Sequence, residues 1–173
     1  MNYTQLIPSP LGNILLSADE IGLTGLWFEG EKYYADALPR EHIERETPIL
    51  MDTKRWLDVY FTGREPDFTP PLHPTGSTFR MTIWRLLLQI PYGQTTTYGE
   101  LAKRLECGRL SAPAVGGADG HNPISIIVPC HRVVGANGSL TGYAGGLDRK
   151  IRLLEIEQTD MHGLFRPKKG TAI

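Results

Sequence analysis

The stretch Asn122-Pro123-Ile124-Ser125-Ile126-Ile127-Val128-Pro129-Cys130-His131-Arg132-Val133-Val134-Gly135 leads an apolar run directly into a thiol and an imidazole. Ile124 to Val128 is β-branched and apolar apart from Ser125, and prolines bound it on both sides. That pattern predicts a buried strand. A thiol with a reference pKa of about 8.5 is mostly protonated at neutral pH, so a nucleophilic cysteine needs a base or a positive environment. His131 is the adjacent base. On a regular strand neighbouring side chains point to opposite faces, so the pair shares one site only where the chain bends, and Pro129 offers the bend. A buried, inert cysteine beside a hydrogen-bonded histidine is the other reading, and the pair alone leaves both open.

Outward from this stretch, a glycine-rich loop runs from Gly135 to Gly146, followed by a helix from Leu147 to about Glu157 and a polar, basic tail, Gln158 to Ile173. Upstream, Ser77 or Thr78 caps a helix carrying Phe79, Ile83, Trp84, Leu86, Leu87 and Ile90, which Pro91-Tyr92-Gly93 stops. Thr97 caps a short helix, Tyr98 to Leu105, with Glu100 in the capping-box position. A turn through Cys107-Gly108-Arg109 leads to a second short helix, about Ser111 to Ala118, and the pair reads as a helix-turn-helix. Residues 62–76 hold four prolines and form a linker. Pro48 to Phe61 has helical spacing and Gly63 ends it; residues 31–47 read as a helix with a loop. The first 30 residues, with turns at Pro10-Leu11-Gly12 and Asp19-Glu20-Ile21-Gly22, predict three antiparallel strands. The expected architecture is a small α/β lobe with its linker, residues 1–76, and a mostly helical domain, residues 77–173.

Composition narrows the function classes. The chain has 173 residues, 40% hydrophobic and 21% charged, as in an ordinary globular protein. No apolar run approaches the ~20 residues that span a bilayer, and the start, Met1-Asn2-Tyr3-Thr4-Gln5, has no signal-peptide core. A reducing, cytoplasmic setting is therefore expected. Only 2 cysteines exclude a disulfide scaffold or a four-cysteine zinc site, and no metal is expected. The net charge of −1 is uneven: residues 1–76 carry 6 Lys/Arg against 12 Asp/Glu, whereas residues 77–157 carry 9 against 6. A basic second half suits a nucleic-acid face; an acidic solvated surface on the first half accounts for the same numbers.

The string Asn122 to Gly135 closely resembles the active-site motif of the O6-alkylguanine-DNA alkyltransferases, the methylated-DNA–protein-cysteine methyltransferases. Ile90-Pro91-Tyr92-Gly93, Thr97-Tyr98-Gly99-Glu100-Leu101-Ala102, Ala114-Val115-Gly116-Gly117-Ala118, Thr141-Gly142-Tyr143-Ala144-Gly145-Gly146 and Lys150 to Glu157 follow the family's order, and Ser9-Pro10-Leu11-Gly12 is similar to its N-terminal lobe. Several motifs in one order are far more specific than any single one. The resemblance implies a ribonuclease-H-like first lobe with a three-stranded antiparallel sheet. It also implies irreversible transfer of an alkyl group from O6-alkylguanine in double-stranded DNA to Cys130, once per molecule, by a monomer without a cofactor; O4-alkylthymine is a further candidate substrate.

By the same resemblance His131 is the general base, acting through a water, and Glu157 orients it. Asn122 ties the helix-turn-helix to the active-site segment. Tyr98 helps turn the nucleotide, and Tyr143 with the Val133 backbone walls the base. Pro113, Ala114 and Arg109 lie on the DNA side. The sequence departs from the family at Pro113, where an arginine usually fills the gap left by the flipped base, and at Ala144, often serine. Arg109 or Arg104 is a candidate substitute for that arginine. Arg132 is expected in an ion pair or backbone brace, His121 at the surface, and Cys107 as incidental. The rivals are a lesion-binding alkyltransferase-like sensor and a thiol hydrolase; in such sensors the acceptor cysteine is replaced, and here Cys130 is present.

Overall fold

A computed structural model describes residues 1–105 and 112–167. Cys107, Arg109 and Ser111, and with them the turn of the expected helix-turn-helix, lie outside the described residues. The chain begins with strands β1 (Asn2–Ile7), β2 (Ile14–Ala18) and β3 (Leu23–Phe28), paired antiparallel as expected. Gly12 at φ +111° makes the first turn, held by Gly12 N–H donating to Ser9 O at 3.1 Å. In the second turn the Asp19 carboxylate accepts from the Ile21 and Gly22 amides at 2.9 Å.

Two expectations for this lobe are corrected. The sheet has four strands, ordered β3-β2-β1-β4, because β4 (His42–Glu44) adds to β1 in parallel. All three β4 residues are exposed, so the strand carries no alternating pattern that a sequence reading could detect. Residues 31–47 contain no helix: Glu31 to Leu38 fold as successive turns, with Tyr33 (φ 64°) and Ala35 (φ 54°) in the left-handed region that interrupts a helix.

Helix α1 (Pro48–Tyr60) forms as its spacing predicts. Thr47 caps it, accepting from Leu50 N–H at 3.3 Å, and Pro48 fills the first turn, where no amide partner is needed. Leu50, Thr53, Trp56, Leu57 and Tyr60 form its buried face. The proline-rich connection is packed rather than free: Leu23 N–H donates to Pro71 O and His73 N–H to Leu23 O, both at 2.7 Å, covering the edge of β3.

Helix α2 (Thr78–Leu87), capped by Ser77, buries Ile83, Trp84 and Leu87. Gly93 (φ +78°) turns the chain into β5 (Thr96–Thr97) and α3 (Tyr98–Lys103), capped by Thr97. Helix α4 (Ala112–Gly120) packs on α2 and α3. The Trp84 indole N–H donates to Ala118 O at 2.9 Å, fixing α4 against α2.

The expected strand over Ile124–Val128 is absent. Only Ile124 bridges to Leu26, and then the chain coils tightly, with Ile127 N–H to Ser125 O at 2.8 Å and Val128 N–H to Ile124 O at 3.1 Å. Ile126 sits at φ 70°, a strained setting for a β-branched residue that the surrounding burial holds in place. Cys130–Arg132 follow as one 3-10 turn, then β6 (Val133–Val134), which pairs in parallel with β5, and finally α5 (Leu147–Ile156). One set of buried side chains runs from Leu16, Leu26 and Phe28 of the sheet through Leu57, Ile83 and Val115 to Ile127, Val133 and Leu153. Cys130 and Tyr143 belong to it, so the candidate site is built into the core.

Candidate active site

Cys130 opens the 3-10 turn and is 4% exposed. Burial, and secondarily the charge of Asp119, push its thiol well above the ordinary value, while the nearby Asn122 side chain opposes them. The resting sulphur is therefore a thiol that needs a base. His131 follows it within the same 3-10 turn, where three residues per turn splay successive side chains by about 120°, not the 180° of a strand. The bend expected at Pro129 is this turn.

His131 is fully buried. Its Nε2 lies 2.6 Å from Glu157 Oε2, and its Nδ1 has no hydrogen-bond partner among the described residues. Burial lowers the imidazole pKa, against the pull of Glu157, so the ring is neutral at neutral pH. A neutral ring beside a carboxylate donates Nε2–H to it, and Nδ1 is then an open acceptor.

Glu157 caps α5 and takes hydrogen bonds from four groups. Oε2 accepts from His131 Nε2 and from the Tyr60 hydroxyl at 2.7 Å; Oε1 accepts from Arg132 Nε at 2.8 Å and Gly93 N–H at 3.3 Å. Burial alone would raise this carboxyl; the imidazole and guanidinium outweigh burial and hold it well below the usual carboxylate range. Arg132 also donates Nη1–H to Ile90 O at 2.7 Å, the structural role expected for it. Tyr60 was invisible as a site residue: it stands 97 positions from Glu157, and nothing in its local sequence separates it from a core tyrosine.

Asn122 fixes the shape of the coil before the thiol. Its Nδ2 donates to Val128 O at 2.8 Å and Ile124 O at 3.2 Å, and its Oδ1 accepts from Ile124 N–H at 2.9 Å. Tyr98 opens α3 and hydrogen-bonds Thr141 O at 3.2 Å, tying the helix pair to the glycine-rich loop. The Tyr143 ring meets His131 edge-on at 6.5 Å, and its buried hydroxyl faces Ser125. Val133 is buried beside them, and Ala144, half-buried, accepts Lys32 N–H at 3.0 Å through its carbonyl. Pro113 is exposed near the start of α4, and Ala114 is half-buried. His121, expected at the surface, is partly exposed there and stacked on Tyr33 at 4.0 Å.

Three buried ionisable groups at the site carry no motif of their own. Lys150 Nζ donates to Val133 O (2.6 Å), Thr141 O (2.9 Å) and Gly142 O (3.4 Å), which ties the glycine-rich loop to β6 and α5. Asp119 projects from α4 with Oδ1 unpartnered among the described residues. Glu31, pushed up by burial to about 8, accepts Phe28 N–H at 2.6 Å. Among the described residues no group of three or more His, Cys, Asp or Glu is placed to hold a metal, and no helix is long and apolar enough to cross a membrane.

A core-buried thiol, a histidine tied to a carboxylate and two short packed helices stand together in the second half of the chain, the parts of a cysteine-centred site. Two family models match the chain. The DNA binding domain of 6-O-methylguanine DNA methyltransferase covers residues 78–159, and the ribonuclease-like domain of the same proteins covers residues 2–74. The methylated-DNA–protein-cysteine methyltransferase of Methanosarcina mazei is 43% identical over 92% of this chain and 99% of its own. That of Haemophilus influenzae is 41% identical over 90% and 86%. The crystal structure of Mycobacterium tuberculosis OGT in complex with DNA superposes with a TM-score of 0.80 at 40% identity, covering 90% of this chain and 92% of that one. The chain belongs to the methylated-DNA–protein-cysteine methyltransferase family.

Proposed function

We propose that this protein repairs DNA by moving the alkyl group of O6-alkylguanine onto its own Cys130, once per molecule. The observation that carries the reading is the Cys130-His131-Glu157 arrangement: a buried thiol followed, within one 3-10 turn, by a neutral histidine whose Nε2 is tied to an ionised carboxylate and whose Nδ1 is open. The Cys130 proton passes to His131 on the Nδ1 side, through a water. The imidazolium that forms is stabilised by Glu157. The sulphur–carbon bond forms as the carbon–oxygen bond breaks. Guanine leaves with the electron pair and takes up one proton, and a thioether remains on Cys130. Water does not cleave an alkyl thioether, because the thiolate is a poor leaving group from a saturated carbon, so the reaction stops at one equivalent.

Around this centre Asn122 shapes the coil that presents the thiol, Tyr98 and Tyr143 with the Val133 and Ala144 backbone line the base pocket, and Pro113 and Ala114 face the duplex. The flipped nucleotide must leave its stack at a cost of a few kcal/mol. In this reading residues 1–76 act as a supporting lobe and residues 77–173 carry DNA binding and chemistry. A reducing cytoplasm preserves the thiol, and the protein acts as a monomer. Titration with an O6-methylguanine duplex tests the reading: guanine should be restored in a burst equal to the protein present, with no further turnover. Continuous turnover with methanol release would establish a hydrolase, and lesion binding without any transfer would establish a sensor.

A further inference from the structure

The glycine-rich loop has a donor on every carbonyl from Thr141 to Gly145. Thr141 O and Gly142 O each accept from the Tyr98 hydroxyl, at 3.2 and 3.4 Å, and from Lys150 Nζ, at 2.9 and 3.4 Å. Tyr143 O accepts Gly146 N–H at 2.9 Å within the loop's own turn. The last two carbonyls are held from the side of the first lobe. Ala144 O accepts Lys32 N–H at 3.0 Å, and Gly145 O accepts Nη1–H of Arg149, in the first turn of α5, at 3.2 Å.

Arg149 is itself bound to the first lobe. Its Nε donates to Leu11 O in the β1–β2 turn at 2.9 Å, and its Nη2 to Glu29 O just past β3 at 3.3 Å. The guanidinium carbon lies 4.8 Å from the centre of the Phe28 ring. One planar group thus joins three segments that are far apart in sequence. Two glycines make room for it. A Cβ at Gly12 would come within 3.1 Å of Arg149 Nη2, and one at Gly145 would meet the Tyr143 ring at 2.6 Å and the Phe28 ring at 3.3 Å. The Gly145 backbone therefore lies between Phe28 of the sheet and the ring of Tyr143. Arginine suits this place because its donors are fixed in a fork, whereas a lysine ammonium is a point charge.

We infer that Arg149 is a positioning residue for the substrate: it carries the first lobe's grip on the glycine-rich loop and so sets Tyr143 and Ala144 in place against the alkylated base. The first lobe thereby takes part in substrate binding without touching the substrate. The inference rests on the reading of this loop as the wall of the base pocket. Arg149 makes no hydrogen bond to Cys130, His131 or Glu157 among the described residues, so it has no direct hold on the chemical step. Without the clamp, Ala144 and Gly145 are free to leave Phe28, and part of the binding energy of the base is spent on ordering them again. The loss therefore falls on binding.

Two arms test this. In the first, wild type, Arg149→Lys and Arg149→Ala react with O6-benzylguanine as the free base, and single-turnover benzylation of Cys130 is followed by intact mass over a range of substrate concentrations. In Arg149→Ala the concentration giving half the limiting rate should rise about tenfold, the order of one lost hydrogen bond to a charged group. The limiting rate should stay within about threefold of wild type. Arg149→Lys should fall between the two. An unchanged half-saturating concentration in both variants, or a lower limiting rate with half-saturation unchanged, would overturn the inference. If Arg149→Ala does not fold, Arg149→Lys decides by the same criteria. Absence of transfer by wild type would overturn the proposed function instead. The second arm needs no transfer. Amide exchange followed by NMR should be faster in the variants at Lys32, which donates to Ala144 O, and at Gly146, which donates to Tyr143 O, while Leu88 N–H on Trp84 O keeps its wild-type rate. Wild-type exchange at Lys32 and Gly146 in a folded variant would show that Arg149 does not hold the loop.

Discussion

Replacing Glu157 by glutamine keeps the shape of the side chain and removes its charge. Oε1 of the amide can still accept from Arg132 and Gly93, so the bonds at 2.8 and 3.3 Å survive. The NH2 group then faces the Tyr60 hydroxyl, which can rotate to accept, and His131 Nε2, which cannot accept while it carries a proton. The ring is forced into the tautomer with Nδ1–H, and the open acceptor on the thiol side is lost. The comparable Asp-to-Asn change in a serine-protease triad slows turnover about 10⁴-fold by this route, and a loss of about 10³- to 10⁴-fold in the single-turnover rate is expected here.

Stability should fall as well, because Arg132 is left buried without its counter-charge; breaking such a pair costs about 3–5 kcal/mol. The native carboxyl is depressed, so its contribution is fully present above the unfolded value of about 4.3 and fades as pH falls through the native one. The stability gap between wild type and variant is therefore widest at neutral pH and narrows in acid. The assay is rapid-quench transfer from an O6-methylguanine duplex, with nitrogen-15 NMR of His131 reporting the tautomer. A folded variant that keeps Nε2–H and transfers within about threefold of wild type would refute the reasoning.

Tyr60→Phe removes one donor to an ionised, buried carboxylate and should cost about 1.5–3 kcal/mol in urea unfolding while leaving transfer within tenfold of wild type; an unchanged midpoint would show the bond to be idle. Glu31→Gln should gain on wild type as pH rises from 5 to 8. The native carboxyl is raised to about 8, so wild type loses up to about 1.4 kcal/mol per pH unit across that window, and parallel stability curves would contradict this. Pro113→Arg, at an exposed position near the start of α4, should speed repair of duplex DNA and leave the reaction with free O6-benzylguanine unchanged; equal acceleration of both would mean the residue acts on chemistry and not on extrusion.

The sequence disclosed the elements whose signals are local. Ser77 and Thr97 each cap the helix their position predicts, and the glycine turns at 12, 63 and 93 fall where the chain needs positive φ. It misled where burial is complete. Ile124–Val128 has the composition of a strand, yet a fully buried apolar run has no period to distinguish strand from coil, and Asn122 side-chain bonds decide the matter. The exposed strand His42–Glu44 failed for the opposite reason, since it buries nothing. At the site, Cys130, His131 and Glu157 were legible because their motifs sit in family order, and the structure adds how His131 and Glu157 meet. Tyr60, Asp119 and Lys150 were not legible as partners, because each becomes chemical only when distant segments pack together.

The central claim is that Cys130 is the irreversible acceptor. Intact-protein mass spectrometry after incubation with excess O6-methylguanine duplex, followed by peptide mapping, tests it most directly. One added methylene per chain, confined to the Cys130 peptide and unchanged on prolonged incubation, is the expected result. An unmodified protein with the lesion intact, methylation at Cys107, or a methyl group that disappears with time would contradict it.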